Sequence, residues 1–426
     1  MAAGPVGEPG QLIRQRYLVA TKLIETFSRG VFVLLCTYAL PLEEAGRFGL
    51  AATIISLLAF ILGYERYIDL QRQVAGRSPF AIRCRLSDTL KFFAVHYAVV
   101  LPVVLVLLCV WGGWRAQQVG TAVVVIIGEH LSNLAYHAVL LDGRAFPLLL
   151  AATAKNVAQL LSVLAMAWWS PQALDASWVL SAWAIAAMAY VLIAASLWMA
   201  WTRQSLASPQ DGLPAQSPGQ QYRASGLHFM VGIVAVAALQ ADRLVVGGTL
   251  SAQEIGIYFR NIALAALALQ LFNIVSFNRL APDIYKLSRT GHLSRSWRTV
   301  WAEYRRFGGA LVALVAIAAL VNHLMGRPAQ RFGVEASFLG LLMLAVLMRT
   351  GADYAGLLLL SVGGDRTLFR NQVCAVLVGS SGLWILASQF QLAGAFFGAL
   401  ATPLLYLVMN RLSLVQRFRE LQNRTW

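Results

Sequence analysis

Apolar runs of about twenty residues follow one another along nearly the whole chain, separated by short segments carrying Gly, Pro, Ser or Arg. A helix rising about 1.5 Å per residue crosses the roughly 30 Å hydrocarbon layer in such a run. The pattern predicts helices at about 18–40, 48–68, 89–111, 119–141, 148–169 and 177–201, then again at about 226–249, 255–278, 307–325, 335–361, 369–389 and 391–411. Between these sets lies SLASPQDGLPAQSPGQQ, from Ser205 to Gln221, whose composition is too polar to order itself by burial. The reading is an all-α, polytopic membrane protein of about twelve spans: an N-terminal six-helix bundle (1–204), a linker (205–225) and a C-terminal six-helix bundle (226–426). Strands are disfavoured because the apolar runs are continuous instead of alternating.

Composition agrees: 58% of residues are hydrophobic, 12% are charged and the mean hydropathy is +0.64, more apolar than one soluble core needs. The formal charge of +15 raises nucleic acid as a partner, but the basic residues sit between spans and form no stripe on a soluble domain, so no nucleic acid is expected. Cys36, Cys84, Cys109 and Cys374 lie in spans or a basic loop, so no disulfide framework is indicated. The first apolar stretch carries Lys22, Glu25 and Arg29 and no small-residue cleavage site follows it, so it reads as a retained first helix.

Alternate loops differ sharply in charge. One set holds Arg14, Arg16, Arg72, Arg77, Arg83 and Arg85, then the basic run from Lys286 to Arg306, then Arg417, Arg419 and Arg424; the other holds little beyond Arg47, Arg115, Arg327 and Arg331. Basic loops are retained in the cytoplasm, which predicts both termini and the linker cytoplasmic. Thirty arginines against four lysines hint at GC-rich coding in a bacterium, whose inner membrane is then the expected location. The external loops are too short for a catalytic domain, and no Walker A, H-E-x-x-H, G-x-S-x-G or Rossmann glycine pattern occurs. No enzymatic activity, cofactor or metal is expected.

Between the first two predicted helices the chain reads LEEAGRFGLAAT, with Glu44, Gly46 and Phe48; between the seventh and eighth it reads SAQEIGIYFRNI, with Glu254, Gly256 and Tyr258. E-x-G-x-aromatic thus recurs at the same place in each half, and six helices per half give both copies one orientation, a parallel repeat about a pseudo-two-fold axis. With the stretch from Asp242 through Asn273 and Pro282 to Tyr285, these residues make the chain resemble the multidrug, oligosaccharidyl-lipid and polysaccharide (MOP) exporter superfamily, and within it the O-antigen type polysaccharide flippases. About twelve helices, where peptidoglycan lipid II flippases carry fourteen, favour the polysaccharide branch. The resemblance implies alternating-access transport of an undecaprenyl-diphosphate-linked oligosaccharide to the periplasmic leaflet without ATP hydrolysis, beside membrane lipids and polysaccharide polymerase or assembly proteins.

An ionisable group at the bilayer centre costs roughly 2.5–3.5 kcal/mol even on lenient scales, so those retained should face protein or water. Lys22, Glu25 and Arg29 share one face at i, i+3 and i+7: either a cationic lining with an internal carboxylate, or a Lys22–Glu25 pair with Arg29 holding a neighbouring helix. Glu129, Asn133 and His137 share a side of the fourth helix, with His130 displaced by about 100°; Glu129 is either a protonation site or the partner of Arg29 or Lys155. Lys155 and Gln159 share a face of the fifth. Asp242 and Arg260 suit an outer ion pair or gate, or Arg260 a diphosphate contact; Arg349 and Asp353, one turn apart, suit self-neutralisation or a cavity role. Under the flippase reading, Lys22, Arg29, Lys155, Arg260 and Arg349 are the candidate diphosphate ligands, and Glu25, Glu129, Asp242 and Asp353 the candidate coupling or gating groups. A drug and cation extruder of the same superfamily, a membrane polymerase and an assembly scaffold are the rival readings.

Overall fold

The computed structural model describes residues 9–64, 66–67, 70, 79–110, 116–141, 146–203, 216–272, 276–324 and 336–424. Every regular element among them is a helix: α1 Pro9–Ala39, α2 Leu42–Gly63, α3 Pro79–Val110, α4 Ala116–Leu141, α5 Phe146–Trp169, α6 Ala176–Arg203, α7 Pro218–Thr249, α8 Ala252–Phe272, α9 Asn278–Arg289, α10 Leu293–Leu324, α11 Ala336–Ser361, α12 Asp365–Gly398 and α13 Ala401–Arg424, with one 3₁₀ turn at Pro171–Ala173. Each predicted span has a counterpart, and α9 is an additional short amphipathic helix. Among the described residues nine helices are long and apolar enough to cross a membrane; α1, α10 and α13, which carry charge along their length, are not among them. Valines 99, 103 and 106 of α3, Ile185 and Leu192 of α6, and Leu377 and Trp384 of α12 are exposed. Such apolar surface is stable against lipid and costly against water.

Two boundaries differ from the sequence reading. The predicted break near residue 390 is a kink inside α12 at Gln391 (φ 51°, ψ −132°), and the chain turns only at Ala399 before α13 continues to Arg424. Gly394 stands in that kink because a Cβ there would strike the Leu386 carbonyl oxygen. The expected unstructured linker also ends early, at Gln216; residues 204–215 lie outside the described residues. Ser217 and Gln220 form a reciprocal capping box, Ser217 N–H to Gln220 Oε1 at 3.0 Å and Gln220 N–H to Ser217 Oγ at 3.3 Å, with Pro218 at the first helical position. Gln221 and Ser225 are then buried against Arg66.

The chain divides into two compact units, Met1–Ala39 with Ile54–Ile233, and Leu40–Thr53 with Val234–Trp426. In the first, α1 packs along α5, and α4, α5 and α6 form a mutually packed layer; in the second, α11, α12 and α13 form the corresponding layer, with α8 and α10 against α11. The first twelve-odd residues of α2 belong to the second unit, where the repeated E-x-G-x-aromatic motif finds its physical account. Gly46 and Gly256 face each other at the crossing of α2 and α8: a Cβ on Gly46 would lie 2.7 Å from the Ala252 carbonyl oxygen and 3.0 Å from the Gly256 nitrogen, and one on Gly256 would strike the Leu42 carbonyl. The motif aromatics Phe48 and Tyr258 are fully buried. Glu254 serves locally, accepting from Ser251 N–H at 3.0 Å in a second capping box, and Glu44 adds negative charge to the first turn of α2.

Gly256→Ala is therefore expected to destabilise the protein by about 3 kcal/mol, the upper end of overpacking costs, because the collision is with backbone. Gly120→Ala, where a Cβ meets nothing within 4 Å, should be neutral or stabilising by up to about 1 kcal/mol. Thermal unfolding of the detergent-solubilised variants checks both.

Candidate functional site

The polar interior of the first unit is organised about one carboxylate. Glu129, on α4, is 3% exposed in its side chain and receives Lys155 Nζ of α5 on Oε1 at 2.6 Å, Trp183 Nε1–H of α6 on the same oxygen at 2.9 Å, and Arg29 Nη1 of α1 on Oε2 at 3.2 Å. Four helices meet on one side chain. The sequence left Glu129 to pair with Arg29 or Lys155; it pairs with both. Lys155 also donates to Ser132 Oγ at 3.0 Å and lies 5.6 Å from the centre of the Tyr190 ring, so it is sealed at 1% exposure. Ser132, one turn from Glu129, takes the place expected for Asn133, which is exposed.

A second carboxylate closes the cluster. Lys22 Nζ reaches Glu25 Oε2 at 2.5 Å, as the i, i+3 spacing predicts, and stands 4.4 Å over the Tyr136 ring. Asn156 of α5 donates to both the backbone oxygen and Oε1 of Glu25, at 3.2 and 3.3 Å. Gln159, expected beside Lys155, is buried with its Nε2 lacking a partner. Exposure grades the cations: Lys155 1%, Lys22 25% and Arg29 36%. Arg29, and after it Lys22, are thus the approachable members of an ionic cluster in which Lys155 is enclosed.

Trp183 has no place among the residues singled out from sequence. Its indole N–H, which a buried tryptophan must satisfy, points at Glu129, and its ring meets Phe32 edge-on at 5.5 Å. An N–H donor in the middle of an apolar helix was the available signal. Arg66, also missed, is fully buried at the start of the segment after α2, donating to Gln221 Oε1 (3.0 Å), Gln216 Oε1 (3.0 Å) and Ser225 Oγ (3.3 Å). Of the histidines near Glu129, His130 shares a hydrogen bond with the Tyr97 hydroxyl and His137 stacks on Tyr67 at 3.9 Å. Among the described residues no three His, Cys, Asp or Glu side chains converge as a metal site would require.

In the second unit the predicted residues separate. Asp242 accepts from the Tyr258 hydroxyl at 2.7 Å, while Arg260 donates to the Leu40 carbonyl at 2.7 Å, so the expected Asp242–Arg260 pair gives way to two separate bonds. The physical reason is the end of α1: Leu40 carries a carbonyl with no intrahelical donor, and a buried guanidinium satisfies it. Arg349 and Asp353 form the one-turn pair, Nε to Oδ1 at 3.1 Å, with the guanidinium 5.0 Å over the Tyr406 ring. Beside them Asn371, Asn410 and Ser413 bond α12 to α13, and Asn410 holds the Ala352 carbonyl of α11. Asn273, Arg72, Arg77, Arg115, Arg327 and Arg331 lie outside the described residues.

No protein-family model matches this sequence, and no curated protein matches it. Solved structures share its fold. An inward-facing multidrug resistance MATE family transporter of the MOP superfamily is similar with a TM-score of 0.66, at 12% identity, over 93% of this chain and 95% of that chain. The lipid II flippase MurJ, in an inward closed conformation, is similar with a TM-score of 0.64, at 12% identity, over 94% of this chain and 89% of that chain. The Vibrio cholerae MATE transporter VcmN is similar with a TM-score of 0.58, at 13% identity, over 96% and 97%. The chain therefore has the fold of the MOP transporters and is a multi-pass membrane protein.

Removing one member of a buried ion pair leaves its partner uncompensated, at a cost of about 3–5 kcal/mol. Glu129→Ala is expected to destabilise by that amount, and the double variant Glu129→Gln with Lys155→Met to recover most of it, since no buried charge is then stranded. Trp183→Phe, which keeps the ring and removes one donor to a charged acceptor, should cost about 1.5–3 kcal/mol. Thermal unfolding of the three variants in one detergent tests the set.

Proposed function

We propose that this protein is a flippase for a lipid-linked oligosaccharide, moving an undecaprenyl-diphosphate-linked glycan between the leaflets of a bacterial inner membrane for polysaccharide export. In this reading both termini are cytoplasmic, the basic loops lie on that side, and the work is transport without covalent chemistry. The carrying observation is the charge of the α1/α4/α5 cluster. Three cations, Lys22, Arg29 and Lys155, face two carboxylates, Glu25 and Glu129, leaving the cluster one positive charge in excess. A diphosphate needs such compensation to leave the headgroup region, and arginine supplies a planar fork matched to phosphate oxygens.

The cluster's wiring suits an exchange of partners. An incoming diphosphate competes with Glu129 for Arg29. When Arg29 leaves, Lys155 and Trp183 still hold the carboxylate, so no buried charge is stranded and the exchange stays cheap. Lys155, Arg260 and Arg349, all buried, act as positioning groups, while Lys22 and Arg29 are the candidates to touch substrate. Glu25, Glu129, Asp242 and Asp353 are the candidate coupling groups. The neighbouring fold of the lipid II flippase MurJ supports a lipid-linked substrate.

The second reading is a multidrug or cation extruder, favoured by the likeness to MATE multidrug transporters. A site for organic cations is expected to carry excess carboxylate; the described clusters here are neutral at Arg349–Asp353 and cationic at Arg29.

Depleting the protein in its host is expected to accumulate lipid-linked oligosaccharide protected from a glycosidase added outside spheroplasts. Wild type should restore exposure, Arg29→Ala should slow it about 10–100-fold, the value of losing a charge-assisted contact, and Arg29→Lys should restore part. Normal exposure of the lipid-linked sugar in depleted cells would sink the flippase reading and bring cation extrusion assays forward.

A further inference from the structure

The second unit ends in a basic and aromatic strip that the transport cluster does not use. On α10, Arg298, Trp301 and Arg305 fall at i, i+3 and i+7 and are all exposed, Trp301 at 41%. Trp301 stacks between Trp297 (6.3 Å, 6°) and Tyr304 (5.3 Å, 29°), which fixes its ring at the surface. The last turns of α13 run beside this segment: Trp297 meets Phe418 edge-on at 6.4 Å between centroids. Along α13 lies an open surface groove of about 560 Å³ whose one part is apolar, Val408, Leu412 and Val415, and whose other part carries Arg411, Gln416, Arg419 and Glu420, the last held by Arg417.

Charge bookkeeping separates these cations from their neighbours. Glu303 is taken by Arg279 and Arg306, and Glu420 by Arg417. Among the described residues no carboxylate pairs with Arg298, Arg305, Arg411 or Arg419, although all four are exposed. Unpaired guanidiniums beside exposed tryptophan and a strip of exposed valine and leucine match the membrane–water interface, where indoles settle at headgroup depth and basic side chains meet phosphate.

We propose that the α13 groove, with the Arg298–Trp301–Arg305 face of α10 beside it, is a binding site for an anionic phospholipid. Arg411 and Arg419 hold the headgroup phosphate, an acyl chain lies along Val408 and Leu412, and Arg298 and Arg305 extend the positive field over the same leaflet. The site does not depend on which substrate the protein carries. Its ligand is a lipid and not a free anion because the apolar part of the groove is continuous with the part carrying the guanidiniums.

The test is native mass spectrometry of the full chain released from micelles containing equal phosphatidylglycerol and phosphatidylcholine. Wild type is expected to retain phosphatidylglycerol at least about fivefold over phosphatidylcholine, since each surface cation contributes about a factor of five. Arg411→Gln with Arg419→Gln should lose most of that preference at unchanged helicity, while the same positions changed to Lys, and Arg47→Gln at an exposed arginine elsewhere, should keep it. Equal retention of the two lipids by wild type, or an undiminished preference in the double Gln variant, overturns the assignment. Displacement of the lipid by millimolar inorganic phosphate overturns it too, in favour of a free-anion site. Should the double variant fail to fold, Arg419→Gln alone decides, with the same two readings.

Discussion

A carboxylate withdrawn from water in the middle of an apolar bundle must be met by charge, and Glu129 meets three donors from three other helices at once. That convergence orders the interior of the first unit. α4 supplies the anion and Ser132, α5 the sealed lysine, α6 the indole, and α1 the arginine that still reaches the surface. Each bond joins a different helix to α4, and the two enclosed ones, from Lys155 and Trp183, cannot be lost without leaving a buried charge or donor unsatisfied, which helps hold these helices in register. Apolar packing alone would not fix them so closely, since lipid is as apolar as the helix faces it would replace.

The second unit is built on the opposite principle, close approach with nothing in the way. At Gly46 and Gly256 the backbones of α2 and α8 come so near that no side chain fits, and the buried Phe48 and Tyr258 flank the crossing. The polar groups there are mostly consumed locally, Asp242 by Tyr258, Arg260 by the end of α1, and Arg349 by Asp353.

Fold and site carry different information about function. The fold is shared by MATE transporters and MurJ alike and does not choose between an organic cation and a lipid-linked diphosphate. What the site adds is a sign, three cations to two carboxylates around Glu129 and Glu25. Grading the cations by exposure matters as much as counting them: a lysine at 1% exposure keeps a carboxylate in place, whereas an arginine at 36% can change partners.

The succession of apolar runs determined the number and order of the long helices, because crossing hydrocarbon demands about twenty residues with internal backbone bonding wherever the chain lies. It equally determined the short-range pairs, Lys22 with Glu25 and Arg349 with Asp353, since helical geometry sets those neighbours without help from the fold. The recurrence of Glu, Gly and an aromatic marked two special places, and the capping boxes at Ser217 and Ser251 were legible though only the fold drew notice to them. What the motif glycines touch, and which cation each carboxylate takes, was decided only by tertiary structure. Glu129 lies 26 residues from Lys155, 54 from Trp183 and 100 from Arg29, so no periodicity relates them. Arg260 and Leu40 stand 220 residues apart, and the expected ion pair with Asp242 gave way to a bond with that carbonyl, which only the folded chain brings within reach.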